Sequence, residues 1–371
     1  MTDRVTIQDI ADALGLSRNT VSKAINNTGS ISETTKAAVL KKAAEMGYKQ
    51  FSYLTLPSFS DGAEDMEGPE GGLYDQSVTR AKTASGPREI AFITTGQMDN
   101  SHFGTTMLDR ISHELAIFGY SVTIYRLLPA ELAALRLPPG IHPSRTAGIM
   151  CAELLDKAYC RMVAGLPYPT VFVDFPVYLD EEAPKADILL MDNASCIYSF
   201  IREMKAKGVR RFSFFGDVLH CRSFYERFQS FRSALEIYGL PFDMSSCILT
   251  GCSELRLDGF SKYIKTLSDT LQAMPVLPEV FLCANDFLAI DLMRALNQIG
   301  ARVPEDVMLL GFDDSSESRI VTPALSTVHI HSQTMGYTAV KMLLGRIHQP
   351  DLYSQVIHTE TSLVYRASTE R

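Results

Sequence analysis

The sequence predicts two unlike parts: an all-α helix-turn-helix module over residues 1–56, and an α/β core of parallel sheets in two lobes over residues 89–371. Three observations carry this. Residues 6–27 hold two short amphipathic helical patterns separated by Gly15-Leu16-Ser17. From Glu89 onward, short apolar strands alternate with helical stretches, and the alternation runs through two series. Such alternation packs helices on both faces of a parallel sheet. Between the two parts lies a stretch too polar to form either kind of core.

In the first helix Ile7, Ile10, Ala11 and Leu14 recur at i, i+3, i+4 and i+7, one stripe of a helix. Thr6 stands where an N-cap belongs, and Asp9 three residues on makes an imperfect capping box. Gly15 supplies a left-handed stop, and Ser17 can cap the next helix. In the second helix Val21, Ala24 and Ile25 share one side with Thr20 beside them, while Arg18, Asn19, Ser22, Lys23 and Asn26 take the opposite arc. Arg and Lys pair with guanine edges, Asn with adenine, and Ser with base or phosphate, as a recognition helix requires. The plainer alternative for this face is a solvated surface. A third helix is expected over residues 33–46, with Val39, Leu40, Ala43 and Met46 inward and Gly47 as its stop.

Composition is that of a globular chain: 371 residues, 46% hydrophobic and 21% charged, with a net charge of -8. That balance argues against a general polyanion binder, yet residues 1–50 carry seven basic side chains against five acidic ones, so the amino end has the opposite sign. No secretory signal or apolar run of membrane-spanning length is visible. The seven cysteines include no C-x-x-C pair, so neither a zinc site nor a redox motif is expected, and free thiols in a reducing cytoplasm account for them.

The run from Val5 to Tyr48, ending Ala-Ala-Glu-Met-Gly-Tyr, resembles the headpiece of the LacI/GalR family of bacterial transcription regulators. The resemblance implies that Thr6, Ser17, Arg18, Asn19, Thr20, Ser22, Lys23 and Asn26 contact a double-stranded DNA operator. The next segment departs from the family, whose hinge helix begins Pro-Asn and ends Ala-Arg-Ser-Leu, with the leucine wedged into the minor groove. Here Gln50 replaces the proline, arginine is missing from residues 49–57, and Pro57 falls near the wedge position. Leu54 or Leu56 could substitute, and a short apolar stretch packed on the headpiece fits equally. Residues 57–88 then read as a flexible acidic linker, longer than the family's and rich in Gly, Asp, Glu, Ser and Pro. It should loosen coupling between the two parts and attract proteases.

In the core, strands are expected at 90–94, 122–125, 149–150, 170–173, 188–190, 212–215, 280–282 and 308–310, with helices at 103–118, 195–207, 224–238 and 287–299. The lobes divide as 89–191 with 328–350, and 192–327 with 351–371. Ligands of such sheets bind outside the carboxyl ends of the strands. Asp192-Asn193, the runs 208–217, 283–289 and 303–314, and the ending 362–369 are together similar to the periplasmic-binding-protein-like core of the same family. By that resemblance the effector-binding residues are Asp174, Arg227, Asn285 and Asp313, with Ser101, His102 and Phe103 added from the start of the first core helix. An arginine fork and carboxylates suit the hydroxyls of a sugar, and rings such as Phe103 or Phe175 could cover its apolar face. Plainer alternatives are a solvated Arg227 and turn-forming roles for Asp174, Asp313 and Asp314.

None of the common catalytic or nucleotide-binding motifs is present, and His220 beside Cys221 lacks an orienting third group. The reading is therefore a cytoplasmic repressor rather than an enzyme, with no metal or cofactor and no membrane. Its expected partners are operator DNA, a carbohydrate effector and a second copy of itself in a homodimer or tetramer. Inducer and corepressor control both fit, and a carbohydrate-binding protein that has lost regulated DNA binding is the alternative.

Overall fold

The computed structural model describes residues 6–26, 32–46, 88–96, 102–179, 181–249 and 259–371. The chain divides into two compact units, residues 1–72 and 73–371. The atypical hinge, Leu54, Leu56 and the linker all lie outside the described residues, as does Ser101.

The first unit holds α1 (Ile7–Leu14), α2 (Arg18–Asn26) and α3 (Glu33–Glu45). The capping box of α1 is complete: Thr6 Oγ1 accepts from the Asp9 backbone N–H at 3.3 Å, and Asp9 Oδ2 accepts from the Thr6 N–H at 2.7 Å. These bonds hold the Asp9 carboxyl below its ordinary pKa. Gly15 ends α1 at φ +62°, the left-handed region where a Cβ is costly, and Ser17 Oγ accepts from the Thr20 N–H to start α2. Ile10, Ala11, Val21, Ala24, Val39 and Ala43 close a small core between the helices. Six side chains suffice because the stripes expected on α1 and α2 meet there.

The second unit begins with a six-stranded sheet: β1 (Glu89–Thr94), β2 (Ser121–Arg126), β3 (Thr146–Ala152), β4 (Thr170–Val173), β5 (Asp187–Met191) and β10 (Val356–Thr359). Its order is β10-β5-β4-β3-β1-β2, and every pairing is parallel. The inner strands are apolar on both faces because helices cover both sides. On β1, Ile90 and Phe92 face a core shared with α4 (His102–Ile117) and α12 (Ser332–His348), whereas Ala91 and Ile93 face the opposite core with α6 (Lys157–Ala164). Gly336 lets α12 press against α4: a Cβ there would lie 2.7 Å from the Met107 carbonyl oxygen.

The second lobe has a parallel sheet β6-β7-β8 (Phe212–Phe215, Val280–Cys283, Met308–Leu310). It is covered by α7 (Ser195–Ala206), α8 (Arg222–Ile237), α9 (Phe260–Gln272) and α10 (Asp286–Gln298). An antiparallel pair, β9 (Thr327–Ile330) with β11 (Thr361–Val364), connects the lobes. The expected allotment of residues 351–371 to the second lobe is corrected for one strand, while Tyr365 and Ser368 do bond to Glu203 and Leu309 of that lobe. Val356–Thr359 pairs with β5 as the edge strand of the first lobe's sheet, because alternate residues of β5 need backbone partners on that side.

Candidate functional sites

The first site is the outer face of α2. Arg18, Asn19 and Lys23 are exposed, Ser22 and Thr20 are half-buried, and Val21 and Ala24 are buried beneath them. Ser17 and Thr20 share a hydroxyl–hydroxyl hydrogen bond of 2.8 Å at the start of the helix, and Thr6 is exposed at the start of α1. The side chains of Ile25 and Asn26 fall outside those described. The module thus presents a convex row of donors on a helix held from behind, the shape that enters a major groove.

The second site is a cavity of about 580 Å³ at the carboxyl ends of the core strands, within the ordinary range for small-molecule sites. One wall carries Thr95 and Gly96 after β1, Glu153 after β3 and Asp174 after β4; the other carries Asn285 after β7, Asp313 after β8, and Phe224 and Arg227 on the first turns of α8. Asp174, Arg227, Asn285 and Asp313, far apart in the chain, therefore line one cavity. The backbone of Glu153, Asp174 and Asp313 is left-handed, at φ +53°, +60° and +113°. Non-glycine residues hold such angles at a cost of order 1–3 kcal/mol, which is typical of ligand sites.

Arg227 is 3% exposed, so the solvated alternative is excluded. Its Nε donates to Asn193 Oδ1 at 2.9 Å, and Nη1 donates to the Ala284 carbonyl and lies 3.8 Å from Asp313 Oδ1. The guanidinium also stacks 3.4 Å over the Phe312 ring. Burial works against its charge, and Asp313 is foremost among the groups that support it. Asp313 itself is pushed up to about 8 by burial, which the nearby Arg227 offsets only in part. Arginine keeps its proton in proteins, so the guanidinium faces a carboxyl whose surroundings favour the neutral form, in which Asp313 can donate as well as accept.

The neighbouring aspartates have separated roles. Asp314 turns away to Arg366, Arg319 and His329, at 2.5, 2.8 and 2.9 Å. Burial alone would raise its pKa, and the two arginines outweigh it and hold it low. Asp286, fully buried, accepts from the Ser315 N–H and the Thr327 hydroxyl, and burial pushes it up to about 6. Asp174 combines the two expected readings. Its Oδ1 accepts from the Phe175 N–H at 2.7 Å, as a turn former does, and from the Ser223 N–H at 3.2 Å, reaching across to α8. Asn285 caps α10 by accepting from the Leu288 N–H at 2.9 Å while lining the cavity.

One expectation needs correction. Phe175 is 1% exposed and packs in the core against Phe172 and Tyr178; Phe224 and Phe287 line the cavity instead. His102 opens α4, but its side chain and that of Phe103 are outside those described. Sequence reasoning also missed Glu153, whose carboxylate covers Gly96: a Cβ on that glycine would meet Glu153 Oε2 at 1.8 Å. A lone acidic residue directly after the apolar run of β3 was the available signal. Cys221 lines the cavity beside His220, yet burial pushes its thiol well above the ordinary value, which opposes a thiolate nucleophile.

A model of bacterial regulatory proteins of the lacI family matches residues 6–50, and one of the periplasmic binding protein-like domain matches residues 201–369. The chain thus carries a lacI-family helix-turn-helix domain and a periplasmic binding protein-like domain. It is 27% identical over 374 residues to the HTH-type transcriptional regulator GalR of Lacticaseibacillus casei, covering 98% of this chain and 99% of that one. Identity to the HTH-type transcriptional repressor PurR of Vibrio parahaemolyticus is 24%, over 99% of both chains. Among solved structures, a complex of the transcriptional regulator CelR with cellobiose superposes with a TM-score of 0.65 at 20% identity, covering 98% of this chain and 100% of CelR. The lac repressor dimer bound to operator and the anti-inducer ONPF gives 0.61 at 19% identity, covering 99% of each chain. No helix among the described residues is long and apolar enough to cross a membrane.

Proposed function

We propose that this protein is a cytoplasmic repressor of the lacI family, acting as a homodimer, that reads operator DNA through α2 and is controlled by an uncharged carbohydrate in the core cavity. Thr6, Ser17, Arg18, Asn19, Thr20, Ser22, Lys23 and Asn26 make the DNA contacts. Asp174, Arg227, Asn285 and Asp313 hold the effector, with Phe224 and Phe287 against its apolar face; Ser101, His102 and Phe103 are further proposed contacts. The observation that carries the effector reading is the charge of the cavity. Its lining holds four carboxyl groups, Glu153, Asp156, Asp174 and Asp313, against a single guanidinium already engaged by Asn193 and Ala284. Such a lining opposes phosphate and carboxylate groups, while offering hydroxyls both acceptors and the donor of a protonated Asp313.

Binding the effector favours one arrangement of the two lobes and so changes how well paired α2 helices fit their half-sites. A thermal-shift panel tests this reading, since a ligand that binds the folded state raises its stability by RT ln(1 + [L]/Kd). Cellobiose, other neutral saccharides and their phosphorylated forms make the panel. A neutral sugar should raise Tm and its phosphate ester should not; stabilisation by the ester alone would overturn the carbohydrate assignment. Selection of DNA fragments by the full-length protein tests the operator half, and recovery of no preferred sequence at low or moderate salt would refute it.

A further inference from the structure

Among the described residues, Arg227 is the one arginine or lysine in the cavity lining, and its orientation depends on a residue that no site assignment above includes. Asn193 is 2% exposed and lies where the chain leaves β5 for α7, on the first crossing between the lobes. Its Oδ1 accepts from Arg227 Nε at 2.9 Å, and its Nδ2 donates to Glu226 Oε2 at 3.0 Å. The direction of the amide follows from its neighbours, since a guanidinium only donates and an ionised carboxylate only accepts. Glu226 is fixed in turn by Arg222 Nε at 2.8 Å and by His358 Nε2 at 3.2 Å. His358 sits on β10, the edge strand of the first lobe's sheet.

We propose that Asn193 is a positioning residue: it aims the Arg227 guanidinium into the cavity and ties it, through Glu226, to the edge strand of the opposite lobe. A neutral amide suits this post because it offers an acceptor to the cation and a donor to the anion at once. A carboxylate there would repel Glu226, and an aliphatic side chain would leave the buried Nε–H without its acceptor. Engagement of Arg227 by a ligand is thereby felt at the lobe crossing and at β10. The consequence for the effector rests on the reading of the cavity as the effector site; the positioning of Arg227 does not.

The test uses the full-length protein without ligand and follows solvent exchange of the Arg227 Nε–H by NMR. Asn193→Ala should accelerate exchange at least tenfold. Glu226→Ala, at a side chain bonded to Asn193, Arg222 and His358 and outside the cavity lining, should accelerate it at least threefold. Because Glu226 acts only through Asn193, the double variant should match Asn193→Ala alone. A Glu226→Ala protein with wild-type exchange, or additive effects in the double variant, would overturn the proposal. Glu226 is half-buried at the surface, so its variant decides the matter even where Asn193→Ala fails to fold. Titration with cellobiose supplies the ligand arm: where it binds the wild type, its Kd should weaken about tenfold in Asn193→Ala and follow the same non-additivity. If cellobiose and every other panel saccharide leave the wild type unaffected, the effector reading fails, while the exchange measurements still decide the role of Asn193.

Discussion

The headpiece and the core put function on opposite kinds of surface. In the headpiece the proposed DNA-reading face is exposed and centred on α2, with Thr6 and Ser17 beside it, and buried side chains hold the helix from behind. In the core the face is concave, and its four expected polar residues come from positions 174 to 313: Asp174, Asn285 and Asp313 after strands of two sheets, and Arg227 on α8. The difference shows in what each residue touches. Arg18 stands in solvent, whereas Arg227 is buried with a hydrogen bond, a carbonyl, a carboxyl and an aromatic ring around it. A change on the convex face should therefore alter recognition with little effect on folding. A change in the concave one should alter both.

The largest expected effect is at Arg227. Arg227→Ala should remove any saccharide-induced rise in Tm and destabilise the core by about 3–5 kcal/mol, as when one partner of a buried polar network is deleted. Calorimetric melting of the full-length variant checks both, and an intact ligand response would separate the guanidinium from the site. Next come Arg18→Ala and Asn19→Ala, each expected to cost about 1–3 kcal/mol at the preferred operator and to relax base preference at one position. Their headpiece melting should stay at the wild-type value, and a drop there would break the contrast drawn above. Gly15→Ala is smaller, about 1–2 kcal/mol, since open space surrounds the site and only the left-handed backbone resists a Cβ. Denaturant melting of the headpiece measures it.

A slope with pH should also appear, and it has opposite signs in the two units. Asp286 and Asp313 have raised pKa values in the fold, about 6 and about 8. The stability they contribute is complete below the unfolded carboxylate value and is lost as pH rises through those two values. Core Tm should therefore decline from about pH 5 to about pH 8.5, and Asp313→Asn should flatten the upper part of that decline. Asp9 in the headpiece is lowered instead, so its contribution is present above the unfolded value and lost only as pH falls through the acid range. A core whose Tm is flat from neutrality to pH 8.5 would show that Asp313 is not held protonated.

Legibility in the sequence followed the same division. Around α1 and α2, stripe, caps and turn are all local, so Thr6, Asp9, Gly15 and Ser17 announced themselves. The strands 170–173, 212–215 and 308–310 were also plain, because each is an apolar run bounded by polar residues. Other elements were less so. In α12, Met335, Ala339, Val340, Met342, Leu343 and Leu344 are all buried, leaving a weak stripe, and Gly336 and Gly345 read as breaks. The strand at Val356–Thr359 is mostly exposed and acquires its identity only from pairing with β5. Among the site residues, Arg227 was legible by family resemblance, but its burial was not. Glu153 and Asn193 became visible only when distant segments met, since each acts through a partner more than thirty positions away.

The edge strand β10 bears on how the molecule is built in time. The sheet of the second lobe draws only on residues 212–310, so a chain emerging amino end first can finish it while later residues are still unmade. The first lobe's sheet begins earlier yet cannot be completed until residue 359 has arrived. Until then Asp187 has neither Arg346, which grips it through two bonds of 2.8 Å, nor the backbone N–H of Gln355. From its own emergence until β10 arrives, β5 is thus an uncovered edge, the kind of surface that invites pairing with another chain. The lobe started first is the one sealed last, so shielding β5 during translation should limit the yield of this protein more than the stability of its finished form.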